Sequence, residues 1–225
     1  MTMFLKNIKR LLLFIVLVIG SSSFQCSEPI NEALQVVELI LPISFVPEFS
    51  TISLGDSFEI SSNVPDTLQD YLTGQYFKAL DIDFGTRIMV RKLISNQRVE
   101  YEQPAAMGSF QFTNFVGGVE NIASSAADFK LKYEKERYKV KVKVTPLETG
   151  VYMMAFFRVN SILKNLIRDP KTGQLKDASM NFMLYAINKG NINFDLYKDN
   201  CKVPAALGSE RDFNIRFGTF TFEVK

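Results

Sequence analysis

The sequence predicts an all-β fold, an antiparallel β-sandwich with at most two short helices, and three observations carry that prediction. Tyr138, Val140, Val142 and Val144 alternate with Lys139, Lys141 and Lys143. A period of two places the apolar set on one face of a strand and the lysines on the other. Residues 151–159 are apolar almost throughout, the pattern of a strand covered on both faces. The chain also holds 20 Phe and 8 Tyr, types that fit a pleated, half-buried surface.

The chain opens with a leader. Lys6, Lys9 and Arg10 precede an unbroken apolar run at 11–19, and Gly20 and Ser21–Ser23 follow. A basic start, a short apolar run and a small-residue exit describe a secretory signal over residues 1–25. Such a run is too short for a hydrocarbon core that needs roughly 20 apolar residues. Cys26 comes next, where an exported chain is cleaved and acylated if it is a lipoprotein; Phe24 and Gln25 before it are not the usual small residues. In the alternative, cleavage falls within 21–23 and Cys26 pairs with Cys201, the other of the two cysteines. Residues 26–33 read as a tether, and 34–225 as one sandwich domain.

Within that domain, 34–46 reads as a first strand broken near Pro42. A second covers 51–60 around a Gly55-Asp56 turn, and one helical turn fits after Pro65. Residues 76–94 give two strands bent at 83–86, 96–107 a loop, and 109–116 a half-buried strand. Phe129, Leu131 and Tyr133 alternate with Lys130 and Lys132, then 134–137 turns the chain into the Tyr138 strand, the clearest hairpin. Turn chemistry recurs at 168–174. Residues 181–187, 192–197 and 213–224 supply the last strands, for nine to eleven in all.

Composition excludes more than it names. The chain has no His and no Trp. Without His there is no Ser-His-Asp or Cys-His catalysis and no imidazole metal ligand, and two cysteines are too few for a thiolate cage. Loss of the leader's three cations takes the formal charge from +2 to −1, so net charge makes no case for nucleic acid. No catalytic residue, cofactor or metal site is expected. Carboxylate chemistry remains open.

Leu147-Glu148-Thr149-Gly150-Val151-Tyr152 resembles the entry to the sixth strand of immunoglobulin-like domains, where a tyrosine closes a corner with its hydroxyl. Met154 stands where the usual cysteine would be. The resemblance implies an immunoglobulin-like sandwich without the cross-sheet disulfide. A wider stretch is similar to uncharacterised cell-envelope lipoproteins of the Bacteroidetes. It comprises residues 54–60, 64–70 and 72–74, then Gly150-Val151-Tyr152 and residues 193–197. That resemblance implies a lipidated Cys26 and an outer-membrane location, periplasmic or surface-facing, with a secreted soluble form as the alternative. It also implies that Asp66-Thr67-Leu68 is an O-glycosylation acceptor at Thr67.

Two constellations are candidate sites. Lys130, Lys132, Lys139, Lys141 and Lys143 are expected on one hairpin face, either as a stripe for an anionic partner or as a solvated face that discourages edge pairing. No exposed aromatic lies between them in the sequence, against a nucleic-acid platform. Asp81 and Asp83 are expected on one strand face, as a calcium or acid–base pair or as surface carboxylates. The implied function is a non-catalytic binding or scaffolding protein of the envelope, with an envelope protein or glycan as partner. A sugar-binding module or carboxylate-dependent glycan enzyme is the first alternative, and a subunit of an outer-membrane assembly the second.

Overall fold

A computed structural model describes residues 35–94, 103–158, 162–168, 173–180, 184–201 and 218–225. Residues 34–225 form one compact unit; the leader and Cys26 lie outside the described residues. One sheet runs in the order Lys132–Glu134 (β11), Arg137–Pro146 (β12), Phe58–Pro65 (β4), Ile40–Val46 (β2) and Leu184–Ile187 (β16), with Phe110–Val116 (β8) also paired to β12. The other runs Thr51–Ile52 (β3), Thr219–Val224 (β17), Gly150–Arg158 (β13), Thr86–Lys92 (β7), Ala127–Lys130 (β10) and Gly118–Glu120 (β9).

This order is that of an immunoglobulin-like sandwich. The strands β2, β4, β12 and β8 take the places A, B, E and D, and β7, β13 and β17 take C, F and G. The β10 and β9 strands extend the edge beyond C, in the reverse of their chain order. The F-to-G connection is long. It carries Ile162–Arg168 (β14) and Leu175–Met180 (β15), which form a small sheet with Gln35–Val37 (β1), and then β16, which joins β2 in parallel.

The corner tyrosine sits as the sequence implies. Tyr152 is fully buried, and its hydroxyl donates to the carbonyls of Glu148 at 3.2 Å and Thr149 at 3.3 Å. It pins the arch over which the chain leaves β12 in one sheet and enters β13 in the other. Between the sheets lies an aromatic core. Phe45 stacks on Phe220 at 4.2 Å, Phe58 meets Phe222 at 5.4 Å, and Phe129 meets Phe156 at 4.9 Å. Such pairs add about 0.5–1.5 kcal/mol each beyond area burial.

Several elements differ from the sequence expectation. The first strand breaks at Glu38 rather than Pro42, which stands inside β2. The β2–β4 register starts only at Ser44, and the Pro42 carbonyl accepts from the Ser62 hydroxyl at 2.7 Å. After Pro65 the chain first extends, and the single helical turn comes only at 70–74, where the Gly74 amide donates to the Asp70 carbonyl at 2.8 Å. Thr67–Gln69 (β5) pairs with Tyr76–Lys78 (β6) in a ribbon. Its tip is held by buried Asp70, whose carboxylate accepts from the Glu38 and Thr73 amides and the Thr73 hydroxyl. Residues 194–197 are helical, within Phe194–Asn200 (α1). Asn193 takes a left-handed conformation and its side-chain amide donates to the carbonyls of Phe49 and Thr221. That turns the chain, and Phe194 and Tyr197 then stack at helical spacing, 6.1 Å apart. Seventeen strands occur among the described residues, because the stretches expected at 51–60 and 129–133 each divide between two sheets.

Candidate functional site

The lysine stripe is only partly assembled. Lys139, Lys141 and Lys143 face outward from β12, whose alternate residues Tyr138, Val140, Val142 and Val144 are buried. Lys132 pairs directly with Lys139 across the β11–β12 register. Lys130 does not join them. The expected single hairpin divides at Leu131: β10 belongs to the opposite sheet, and Lys130 pairs with Gly118 there. Gly117 permits this close passage, with φ of +57° and the Lys130 carbonyl where a Cβ would stand. Two of the lysines are partnered: Lys139 reaches Glu134 at 3.8 Å and Lys141 reaches Glu59 at 2.8 Å. The face is therefore less basic than the sequence stripe suggests.

The structure adds an aromatic that the sequence left off this face. The β8–β12 register slips between Val116 and Asn114, which face Lys141 and Val142. Phe115 is the extra residue of that bulge and stands 58% exposed. With Val46, Ser57, Glu59, Lys141 and Lys143 it lines an open trough of about 480 Å³. Neither Phe115 nor Val46 is close to the lysines in sequence, so the signal lies in the register alone.

A second, more enclosed cavity of about 150 Å³ collects the other constellation. Asp81 and Asp83 are not on a strand; they sit in the loop between β6 and β7, and Asp81 has φ of +48°. Asp83 accepts from the Gly85 amide at 2.8 Å and from Lys130 at 3.2 Å. The Gly85 amide foremost, with Lys130 after it, holds its carboxyl below the usual carboxylate range against the opposing effect of burial. The floor is Phe84, Phe129 and Tyr138, each buried. The Tyr138 hydroxyl accepts from the Ile82 amide at 2.7 Å and donates to the Ala79 carbonyl at 2.8 Å. Tyr133 donates to buried Asp66 at 2.9 Å. Partial burial, then this bond and the charges of Asp66, Glu136 and Asp81, push Tyr133 up to about 12.

What the cavity can do follows from those partners. A glycosidase-type site needs one carboxylic acid kept protonated beside a second, ionised carboxylate. Asp83 is instead held ionised and paired, and both tyrosine hydroxyls keep their protons in fixed hydrogen bonds. Among the described residues no three His, Cys, Asp or Glu side chains gather as a metal site. Asp83 and the two tyrosine hydroxyls are thus each committed to fixed partners.

The remaining candidates are separate from both places. Cys201 is a free, buried thiol whose Sγ donates to the Tyr197 carbonyl at 3.0 Å, and burial pushes it up to about 11. Thr67 is exposed on β5, while its neighbours Asp66 and Leu68 are buried. No helix among the described residues is long and apolar enough to cross a membrane.

No protein-family model matches the chain, and no curated protein matches it. Among solved structures, the type II cohesin dyad from the adaptor ScaA scaffoldin of Acetivibrio cellulolyticus aligns at 10% identity with a TM-score of 0.24. The alignment covers 64% of this chain and 48% of that one, so this chain spans about half its length.

Proposed function

We propose that this chain is an exported, non-catalytic binding or scaffolding domain of the cell envelope, tethered through a lipid on Cys26. The observation that carries the binding half is the Asp81–Asp83 cavity, where the carboxylate that would have to act chemically is already ion-paired. The histidine-free composition supports it, since it leaves no side chain whose ordinary pKa lies near neutral pH. The envelope half is supported by the leader, by Cys26 at its end and by the resemblance of residues 54–74 to Bacteroidetes lipoproteins. In that setting the exposed Thr67 hydroxyl is the O-glycosylation site. Mass spectrometry of the N-terminus recovered from cells tests the anchor. A diacylated Cys26 is expected, whereas a chain starting at Ser23 or Phe24 with an unmodified cysteine removes the anchor from the proposal.

A glycan is the second reading for the partner. Tyr76 stands 65% exposed directly across from Gln69, and Thr67 is across from Lys78. An exposed ring beside amide and hydroxyl groups is what sugar stacking requires. A glycan array on the protein and on Tyr76→Ala decides, because binding indifferent to that ring ends the reading.

A further inference from the structure

We infer that the tip of the β5–β6 ribbon, Tyr71, Leu72 and Tyr76, docks into the interface of a lipid bilayer and sets the orientation of the domain on it. The inference rests on the reading of Cys26 as a lipid anchor and adds the surface that the anchored domain lays against the membrane. It starts from the tip's composition. Residues 71–76 are Tyr-Leu-Thr-Gly-Gln-Tyr, six consecutive exposed positions without a charge. Tyr71 is 39% exposed and Leu72 57%. Large apolar groups scattered singly over a surface need no explanation, but here three fall on one charge-free turn. The acid at the start of that turn, Asp70, is buried and accepts from the Glu38 amide, the Thr73 amide and the Thr73 hydroxyl. The Asp70 amide also donates to the Gln75 carbonyl at 2.7 Å. The three apolar side chains are thus presented on a turn of fixed shape.

The place of the tip in the fold names the partner. The Tyr71 amide donates to the Glu38 carbonyl at 2.7 Å, and Leu39 bridges Asp70. The turn is therefore fastened to the chain a few residues beyond Leu34, where the domain begins. Residues 26–33 extend at most about 29 Å. A lipid on Cys26 keeps this end of the domain beside the bilayer, so docking is a local event that needs only modest affinity. Tyrosine suits the headgroup level, with its ring in the apolar boundary and its hydroxyl in water. The neighbouring charges make no basic cluster for anionic lipid. Lys78, at the root of the ribbon, is matched by Glu136 at 3.3 Å and Asp66 at 4.0 Å, and Glu38 behind the turn is half-buried. The contact is thus apolar rather than electrostatic. A second copy of the chain fits the tip less well, because a stable protein interface buries about 1,200 Å² or more, beyond the reach of three side chains.

The test uses the absence of Trp from the chain, so that one introduced indole reports alone. The mature chain, beginning at Cys26, is coupled through that thiol to a maleimide lipid in vesicles of phosphatidylethanolamine and phosphatidylcholine; buried Cys201 stays unmodified. Leu72→Trp is the reporter, with Tyr76→Trp in reserve should Leu72→Trp melt early. Leu147→Trp is the control. Arg137 pairs with Pro65 at the root of the ribbon and Val144 with Phe58 at the other end of those strands, and exposed Leu147 lies just past Val144. On vesicles the tip reporter should shift to the blue and be quenched by brominated lipid, while the control keeps the emission of a hydrated indole. Replacing Tyr71 and Tyr76 by Ser beside Leu72→Trp should leave the melting temperature unchanged. It should lower the ratio of docked to undocked chains about ten-fold, the equivalent of about 1.4 kcal/mol. Added salt or phosphatidylglycerol should leave the tip signal as it is, since no charge is brought to the surface. No blue shift at the tip, an equal shift at Leu147→Trp, or a shift already present without vesicles would each overturn the inference. So would a shift that requires a sugar-bearing lipid, which would hand Tyr76 to the glycan reading. Because the maleimide supplies the anchor, none of these results depends on whether cells acylate Cys26, which the mass of the N-terminus decides separately.

Discussion

Replacing Tyr152 by Phe isolates the corner hydroxyl. The ring stays and keeps its edge contact with Phe110 at 4.8 Å and its tilted contact with Phe222 at 6.1 Å. The hydroxyl's two acceptors, the Glu148 and Thr149 carbonyls at 3.2 and 3.3 Å, lose a shared donor. Both distances exceed the usual 2.7–2.8 Å of an O–H donor, and both acceptors belong to exposed residues, so the loss is that of a typical net hydrogen bond, about 1–1.5 kcal/mol. For a domain of this size, that is about 3–5 °C in melting temperature. Urea unfolding followed by circular dichroism and tyrosine fluorescence measures it, with an unchanged slope against denaturant. Tyr152→Ala, which also deletes the ring, should cost about 3–5 kcal/mol, as aromatic deletions from cores do. If Tyr152→Phe matches the wild type within 0.3 kcal/mol, the corner does not hold the arch and the reasoning fails.

Three further outcomes follow from single positions. Gly218→Ala should destabilise by more than about 2 kcal/mol in thermal melts, because φ is +48° and the added carbon would stand 2.6 Å from Tyr185 Cβ. Converting Lys135-Glu136 to Asn-Gly should stabilise by about 1 kcal/mol in urea titrations. Both residues of this two-residue hairpin turn have positive φ, +51° and +57°, which Asn and Gly adopt at little cost. For Cys201 the folded state raises the thiol from 9.0 to about 11. Its contribution to stability is therefore complete below pH 9 and is lost as pH climbs through 11. Unfolding titrations of the wild type and Cys201→Ala should converge over that window, and the native thiol should resist alkylation at pH 8.

Much of the sandwich was legible because burial on one face writes itself into the sequence with a period of two. The β12 pattern and the Leu147–Tyr152 corner are local, and both stand where the residues placed them. What stayed illegible depends on which sheet a segment joins. Phe129, Leu131 and Tyr133 share one alternation, yet the chain changes sheets between β10 and β11. Lys130 thereby leaves the lysine face and becomes a wall of the carboxylate cavity. Phe115 reached the lysines by a register slip, which alternation cannot announce. The helix at Phe194–Asn200 was hidden because Ile192, Phe194 and Leu196 fit a strand equally well. The deciding contacts were those of Asn193 with the distant Phe49 and Thr221.

The placement of β17 has a consequence for biogenesis. Phe220, Phe222 and Val224 fill the centre of the sandwich, and β17 lies between β3 and β13. A nascent chain that has yet to deliver those residues leaves Phe45 without the Phe220 ring it stacks on and Phe58 without its edge-to-face contact to Phe222. Closure therefore waits for β17, and until it pairs the chain exposes the apolar surface that a chaperone holds.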